Sequence, residues 1–245
     1  MKFIGDAIPL TLAGLRSAAN TAGVEAAALL AIVDVESQTG CGFLPDKRPV
    51  ILFERHVFSR EMNRRSDRDA PDISNRVPGG YGAGGAHQYD RLAKAMAIDE
   101  LSAVRATSWG LGQIMGHNYA TVGHMGEMAM IRAFCDSEDA QMMSIAMFVR
   151  TNRLRDPIRA RDWAMVARVY NGKNYAMHDY DGRLDRAYLR HASQPIDLTV
   201  RANQVFAMFA GLDVGRIDGI DGPKTRSAFA ALAKMPQKPT TLEVA

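Results

Sequence analysis

Two cysteines, at positions 41 and 135, are all that the 245 residues contain. They stand far apart and in no Cys-x-x-Cys or Cys/His spacing, which excludes a disulfide scaffold and suggests no zinc site. Both read as small core residues. The six histidines, at 56, 87, 117, 124, 178 and 191, form no His-Glu-x-x-His or related ligand pattern. No metal and no cofactor is therefore expected. Long apolar runs are missing as well: nothing approaches the roughly eighteen uninterrupted apolar residues of a membrane helix, so no membrane insertion is expected. A dominant charge is also absent, since 30 Lys+Arg against 27 Asp+Glu leave only +3. That mild excess gives no indication of nucleic acid as a partner. With 47% apolar and 23% charged residues the chain sits near the globular average, which excludes disordered and collagenous classes.

What is present is mostly helical patterning. NTAGVEAAALLAIVDVES, from Asn20 to Ser37, has a polar start that can cap a helix and an Ala/Leu-rich body; it is expected to be one helix. The opening MKFIGDAIP imitates a signal peptide only weakly, because Asp6 and Pro9 interrupt it and Arg16 closes it. It is expected to belong to the fold. PVILFERHVF, at 49–58, fits either a strand or an extended entry to a helix. Residues 59–90, ending in VPGGYGAGGAHQYD, are too rich in Arg, Asp, Gly and Pro for a long regular element and are expected to form a loop over a cleft. Helices are expected over 88–104, from near Ser108, over 125–151, 161–170 and 183–191. The methionines at 125, 128, 130, 142, 143 and 147 belong to core packing. The arginines at 150, 153, 155, 159, 161 and 168 fit a solvated face. The pattern breaks at Ser193-Gln194-Pro195, so a domain over 1–192 is expected, followed by a small helix-loop-helix unit over 193–245. Such a unit makes little core alone and should pack on the first domain or serve as a minimal binding module.

Glu36 carries the first chemical signal. Helical spacing puts it on the stripe of Leu29, Ile32 and Val33, while Asp34 falls roughly opposite on the expected solvated side. A carboxyl on a buried face is kept protonated by desolvation and can act as a general acid near neutral pH. The alternative is a glutamate facing solvent at a helix end. Glu36-Ser37 is followed by SWGLGQIMG at 108–116 and VYNGKNY at 169–175. This ordered set resembles the lysozyme-like superfamily, whose goose-type lysozymes and lytic transglycosylases carry Glu-Ser, Gly-Leu-x-Gln-Ile and Tyr-Asn-x-Gly motifs. The surrounding VESQTGCGFLPDKRPVILFERHVF, PDISNRVPGGYG, ATSWGLGQIMGHNY and YDGRLDRAYLR resemble more narrowly the N-acetylmuramidase family of modular phage endolysins, over roughly residues 20–191.

The resemblance implies a mostly α, lysozyme-like fold and cleavage of the β-1,4 bond between N-acetylmuramic acid and N-acetylglucosamine in bacterial peptidoglycan. It implies Glu36 as the acid, with Ser37, Gln113, Tyr170 and Asn171 at the substrate. A glycosidase usually needs a second carboxylate. Glu54, emerging after the apolar run 50–53, is the expected one; a salt bridge to Arg55 or another arginine is the alternative, and Asp46 and Asp72 are further candidates. A lytic transglycosylase, or a wall-binding protein without catalysis, are the competing readings. GRIDGIDGPKTRSAF resembles the common peptidoglycan-binding domain, which implies wall contacts from Asp218, Gly219 and Thr225; Pro223 and Thr225 also suit a helix start. A monomer is expected, made in a bacterial host's cytoplasm and reaching the wall through a holin-type pore.

Overall fold

The computed structural model describes residues 3–37, 39–172 and 175–235. Gly23 decides how the first apolar segment folds. Its left-handed backbone (φ 68°) ends α1 (Leu12–Ala22), and its N–H satisfies the carbonyls of Ala19 and Asn20. The chain restarts from Glu25 as α2 (Ala26–Glu36). The single helix expected over 20–37 is thus two, and Asn20 sits in the last turn of the first instead of capping the second. The true cap of α1 is Thr11, whose hydroxyl accepts from Gly14 N at 2.9 Å.

Leu29, Leu30, Ile32, Val33 and Val35 are all buried, so α2 is apolar on every side and runs through the core. It packs chiefly on α10 (Tyr180–Ser193) and also touches α1 and α7 (Glu138–Thr151). With α8 (Arg155–Arg159) and α9 (Trp163–Asn171), these helices enclose one hydrophobic core. α1 and α2 together have the length and composition of a membrane span but bend by 103°. No single helix among the described residues is long and apolar enough to cross a bilayer.

A second core surrounds a three-stranded antiparallel sheet of β1 (Ile51–Phe53), β2 (Thr107–Trp109) and β3 (Ile114–Met115), in that order. The ambiguous run 49–58 is a strand followed by α3 (Arg55–Glu61). The helix expected over 88–104 divides into α4 (His87–Met96) and α5 (Glu100–Arg105), because the Asp99 side chain accepts from Ser102 N and starts a new helix. The segment from Ser108 is a β-hairpin, not a helix: Thr107, Trp109 and Ile114 are strand formers, and Gly110 (φ 68°) makes the turn. The helix expected over 125–151 breaks at Ser137, which ends α6 (Glu127–Asp136) in extended backbone and caps α7 through its hydroxyl. Met130 and Met142 are buried as expected, whereas Met125 is 97% exposed. Phe3 packs 5.3 Å from Trp109, and Ala7 and Ile8 donate to the carbonyls of Cys135 and Asp136. The N-terminal segment is therefore part of the fold.

The C-terminal unit holds α11 (Leu198–Phe209) and α12 (Pro223–Leu232). Its Val205, Val214, Ile217 and Ala228 share a core with Ala7, Cys41 and Phe43 of the preceding chain. Both cysteines are free and buried. The join is fixed by Glu138, fully buried, which accepts from Arg201 Nη1 at 2.5 Å and Nη2 at 2.8 Å. The same carboxylate accepts from Leu10 N and Gly42 N, each at 2.8 Å. Burial works to raise its pKa, but the Arg201 charge and these hydrogen bonds outweigh burial and hold it below the usual value. Removing one member strands the other in the core. Arg201→Met is expected to cost about 3–5 kcal/mol in urea unfolding, and Arg201→Met with Glu138→Leu to recover much of that loss.

Candidate active site

Glu36 is the last residue of α2, at the end packed on α10. Burial raises its carboxyl to a pKa of about 7, against the opposing effects of a hydrogen bond from Tyr180 and the charge of Arg183. The Tyr180 hydroxyl donates to Glu36 Oε1. Arg183 lies one turn further along α10 and donates to Val35 O at 3.0 Å. Because α2 is buried all round, a single apolar stripe does not explain the placement of Glu36; the end of the helix against Tyr180 does. Tyr180 and Arg183 were not singled out in the sequence. The signal was the spacing Tyr180, Leu184, Ala187, Tyr188, a buried stripe that marks the face of α10 turned inward.

Asp34 was expected in solvent, and the structure places it otherwise. It accepts from Arg190, from His191 Nε2 at 2.5 Å and from Arg216 Nη2 at 2.7 Å. Burial acts to raise its pKa, but His191 and Arg216 hold it down at about 2. Two residues apart on one helix, Asp34 is a fixed anion and Glu36 a protonatable group.

Tyr170 reaches the same region from α9. Its ring packs against Phe148 in a tilted pair with centroids 4.9 Å apart at the seam of the two cores, and its hydroxyl donates to Gly112 O at 3.0 Å. The hairpin turn is thereby tied to the Glu36 neighbourhood. Gly112 has no room for a side chain, since a Cβ there would lie 2.4 Å from Ile145. Gln113 adopts a left-handed backbone (φ 47°), and its amide accepts from Ser108 Oγ at 2.8 Å and donates to Gly110 O at 2.9 Å. The Gln113 amide thus shapes the turn from within. Trp109 is fully buried, donating to Val104 O. Ser37 is also buried, and its hydroxyl donates to Cys41 O at 3.0 Å, closing the turn after α2. Asn171, at the end of α9, is exposed. Lys173 and Asn174 of its motif lie outside the described residues.

Glu54 ends β1 and precedes α3, with its N–H donating to Ala106 O. Its carboxylate is mostly covered, with Oε2 3.1 Å from His56 Nδ1. Burial raises its pKa, while His56 and Tyr81 act in the other direction. The alternative reading, a salt bridge to Arg55, is not formed: the partner of Glu54 is His56, and Arg55 Nε donates to Val77 O. Glu54 lies four residues along β1 from Val50, whose carbonyl accepts from Gly110 N, or about 13 Å at strand rise. It therefore sits at the opposite end of β1 from the turn that Tyr170 holds. Asp46 pairs with Arg48 at 2.6 Å and Asp72 with Lys94 at 3.3 Å, both in exposed positions. No group of three or more His, Cys, Asp or Glu among the described residues has the geometry to hold a metal ion.

In the C-terminal loop, the polar groups expected to face the wall turn inward. Gln204 accepts from Asp218 N and Gly219 N and donates to Thr225 Oγ1 at 3.0 Å. Asp218 Oδ1 accepts from Ile220 N at 2.9 Å. Gly219 (φ 73°) is pressed so closely on Asp197 O that a Cβ would stand 2.6 Å away. These residues build the loop on α11. A cavity of about 890 Å³ separates the loop from α2 and α10, lined by Asp34, Arg183, Arg190 and Arg216 among others, with Glu36 outside it.

The sequence profile of the N-acetylmuramidase family matches residues 25–192. The chain belongs to the N-acetylmuramidase family. It is a peptidoglycan hydrolase of the lysozyme type, and its matched region holds Glu36, the hairpin turn, Tyr170 and Tyr180. Among solved structures it is similar to the crystal structure of Burkholderia AP3 phage endolysin, at 41% identity and a TM-score of 0.67. That likeness covers 75% of this chain and 71% of the other. No curated protein matches. The hydrogen bond from Tyr180 favours the ionised form of Glu36, the form that would be left if this carboxyl gave up a proton to substrate. Tyr180→Phe is expected to lower kcat about tenfold, the worth of a hydrogen bond to a charged group of about 1.5 kcal/mol. It should also move the alkaline limb of the pH–rate profile upward, and Arg183→Gln should shift that limb the same way; initial rates on purified peptidoglycan across pH check both.

Proposed function

We propose that Glu36 is the general acid that protonates the glycosidic oxygen of the β-1,4 bond between N-acetylmuramic acid and N-acetylglucosamine. The observation that carries this reading is a half-buried carboxyl at the end of the core helix, desolvated so that its pKa is raised to about 7. Such a group is largely protonated near neutral pH and still acidic enough to give its proton up. Tyr180 then holds the resulting carboxylate. Tyr170 and Asn171 flank the same end of the cleft and serve the glycan, while Gln113 and Ser37 support the turns that shape it. Glu54 is the proposed base, a mostly covered carboxylate whose burial raises its pKa above the usual value against the opposing effects of His56 and Tyr81.

The transglycosylase reading keeps weight from one observation. Glu54 stands at the far end of β1 from the hairpin turn, and in a transglycosylase the muramyl 6-hydroxyl attacks internally without a second carboxylate. Mass spectra of soluble fragments separate the two: ordinary reducing muramic ends mark hydrolysis, and ends lighter by one water mark the internal transfer. Glu54→Gln abolishes turnover under the hydrolytic reading and costs little under the other.

The likeness to a phage endolysin supports a role in bacterial lysis. The protein acts as a monomer on the wall from the periplasmic side, passing the membrane through a pore that another protein provides. Residues 1–192 form the catalytic part, and the following unit is a docked extension of it.

Glu36→Gln tests the acid and the burial together. The raised pKa means the folded state keeps a proton that the unfolded chain loses above about 4.5. Stability from this group is therefore complete at acid pH and declines as pH rises toward 7. Removing the ionisable group is expected to abolish fragment release, leave the melting temperature unchanged near pH 4, and stabilise the fold by up to about 3 kcal/mol at pH 8. Near wild-type release by this variant removes Glu36 as the acid.

A further inference from the structure

Beside the Glu54 corner, α3 and the turn after it form an open pocket of about 550 Å³ lined by His56, Ser59, Arg60, Asn63, Arg64 and Arg76. Three of these six side chains are arginines, a fourth is a histidine, and none is a carboxylate. Arg76 lies 3.5 Å from Asp67. The guanidinium groups of Arg60 and Arg64 have no hydrogen bond or ion pair among the described residues. The backbone that presents Arg64 is strained, because Asn63 (φ 48°) and Arg64 (φ 66°) are consecutive non-glycine residues in the left-handed region. Such strain costs on the order of 1 kcal/mol or more per residue and concentrates at ligand clamps. In the lining, His56 Nδ1 is shut off from water without an aligned hydrogen bond, although Glu54 Oε2 is 3.1 Å away. The neighbouring carboxylates engage other lining residues, Asp67 with Ser59 and Arg76 and Glu54 with His56, so the unpaired guanidinium forks of Arg60 and Arg64 remain complementary to carboxylate oxygens from outside the protein.

We propose that this pocket binds the carboxylates of the peptide stem that N-acetylmuramic acid carries in peptidoglycan. The inference rests on the hydrolase reading above. The glycan backbone is uncharged apart from its stems, so the charge that complements the two unpaired guanidinium groups is carried by the stems and not by the sugars. His56 connects the pocket to Glu54, which places it on the proposed substrate path. The pocket is open, as a flexible peptide leaving the sugar chain requires. A free phosphate would meet the same arginines but has no reason to be held next to Glu54.

The test uses the full-length wild-type protein, titrated at low and high salt with a free stem tetrapeptide, the same peptide amidated at every carboxyl, and inorganic phosphate. Chemical-shift mapping reads the result. The charged stem should perturb His56, Ser59, Arg60 and Arg64 and lose affinity in high salt, and the amidated peptide should bind at least tenfold more weakly. Arg60→Ser with Arg64→Ser should weaken stem binding at least tenfold at an unchanged melting temperature; should that variant fail to fold, the mapping on wild type decides. Shifts elsewhere, equal binding of the amidated peptide, or phosphate binding as tight as the stem overturns the proposal. Digesting purified peptidoglycan with the same preparation separates the two ideas: fragments without stem binding refute the pocket alone, and a lack of fragments refutes the hydrolase reading.

Discussion

A carboxylate without water holds the architecture together. Glu138, at the start of α7, collects two backbone N–H groups and one guanidinium from three stretches of chain: the N-terminal segment at Leu10, the turn after α2 at Gly42, and α11 at Arg201. Each partner belongs to a different part of the fold, so the charge stays buried only while all three remain docked. This makes the C-terminal unit a structural component of the domain it follows. Arg201 also donates to Gly40 O at 2.7 Å, and Ile217 N donates to Thr39 O at 2.8 Å. The turn that leaves Glu36 is therefore clamped from the C-terminal side.

That clamp explains how one short helix carries two opposite electrostatic environments. Asp34 faces α10 and the C-terminal loop, where His191, Arg190 and Arg216 fix it as an anion. Glu36 faces a mostly apolar space bounded by tyrosines, where the ionised form has one hydroxyl donor and one more distant cation. Carboxyls whose surroundings drive their pKa values apart are the arrangement that glycosidases use to divide acid and base roles. Here Asp34 is spent on holding the helix end, and the group left protonatable is the one beside the hairpin turn.

The sequence made the helical class, the helix-loop-helix order of the C-terminal unit and the ordered motifs legible, because these rest on local patterning and on short runs with fixed spacing. It misjudged helix breaks at Gly23, Asp99 and Ser137, where a single cap outweighs a continuous helical pattern. The hairpin at 107–115 was hidden for a different reason. Its strands are three and two residues long, too short for an alternating pattern to register. Glu36 was visible from its motif, but Tyr180 was not, since its hydroxyl meets Glu36 across 144 residues of chain. The inward turn of Asp218 and Thr225 was equally hidden, because the same loop chemistry serves a ligand or a neighbouring glutamine.

The second carboxylate is the point at which fold and mechanism constrain each other most. The sheet is so short that β1 separates its two ends by only a few residues, and the two halves of the cleft are anchored at those ends. Tyr170 ties the helical core to the hairpin turn at one end. Glu54 caps the other, with His56 and Tyr81 facing it. Hydrolysis through Glu54 needs a bound water in the space between the carboxyls, and inverting enzymes leave about 6.5–9.5 Å for it. Glu54 follows β1 at the end away from the turn that Tyr170 holds, so the separation of its carboxyl from that of Glu36 is the quantity on which the choice between a water-mediated base and a direct nucleophile turns.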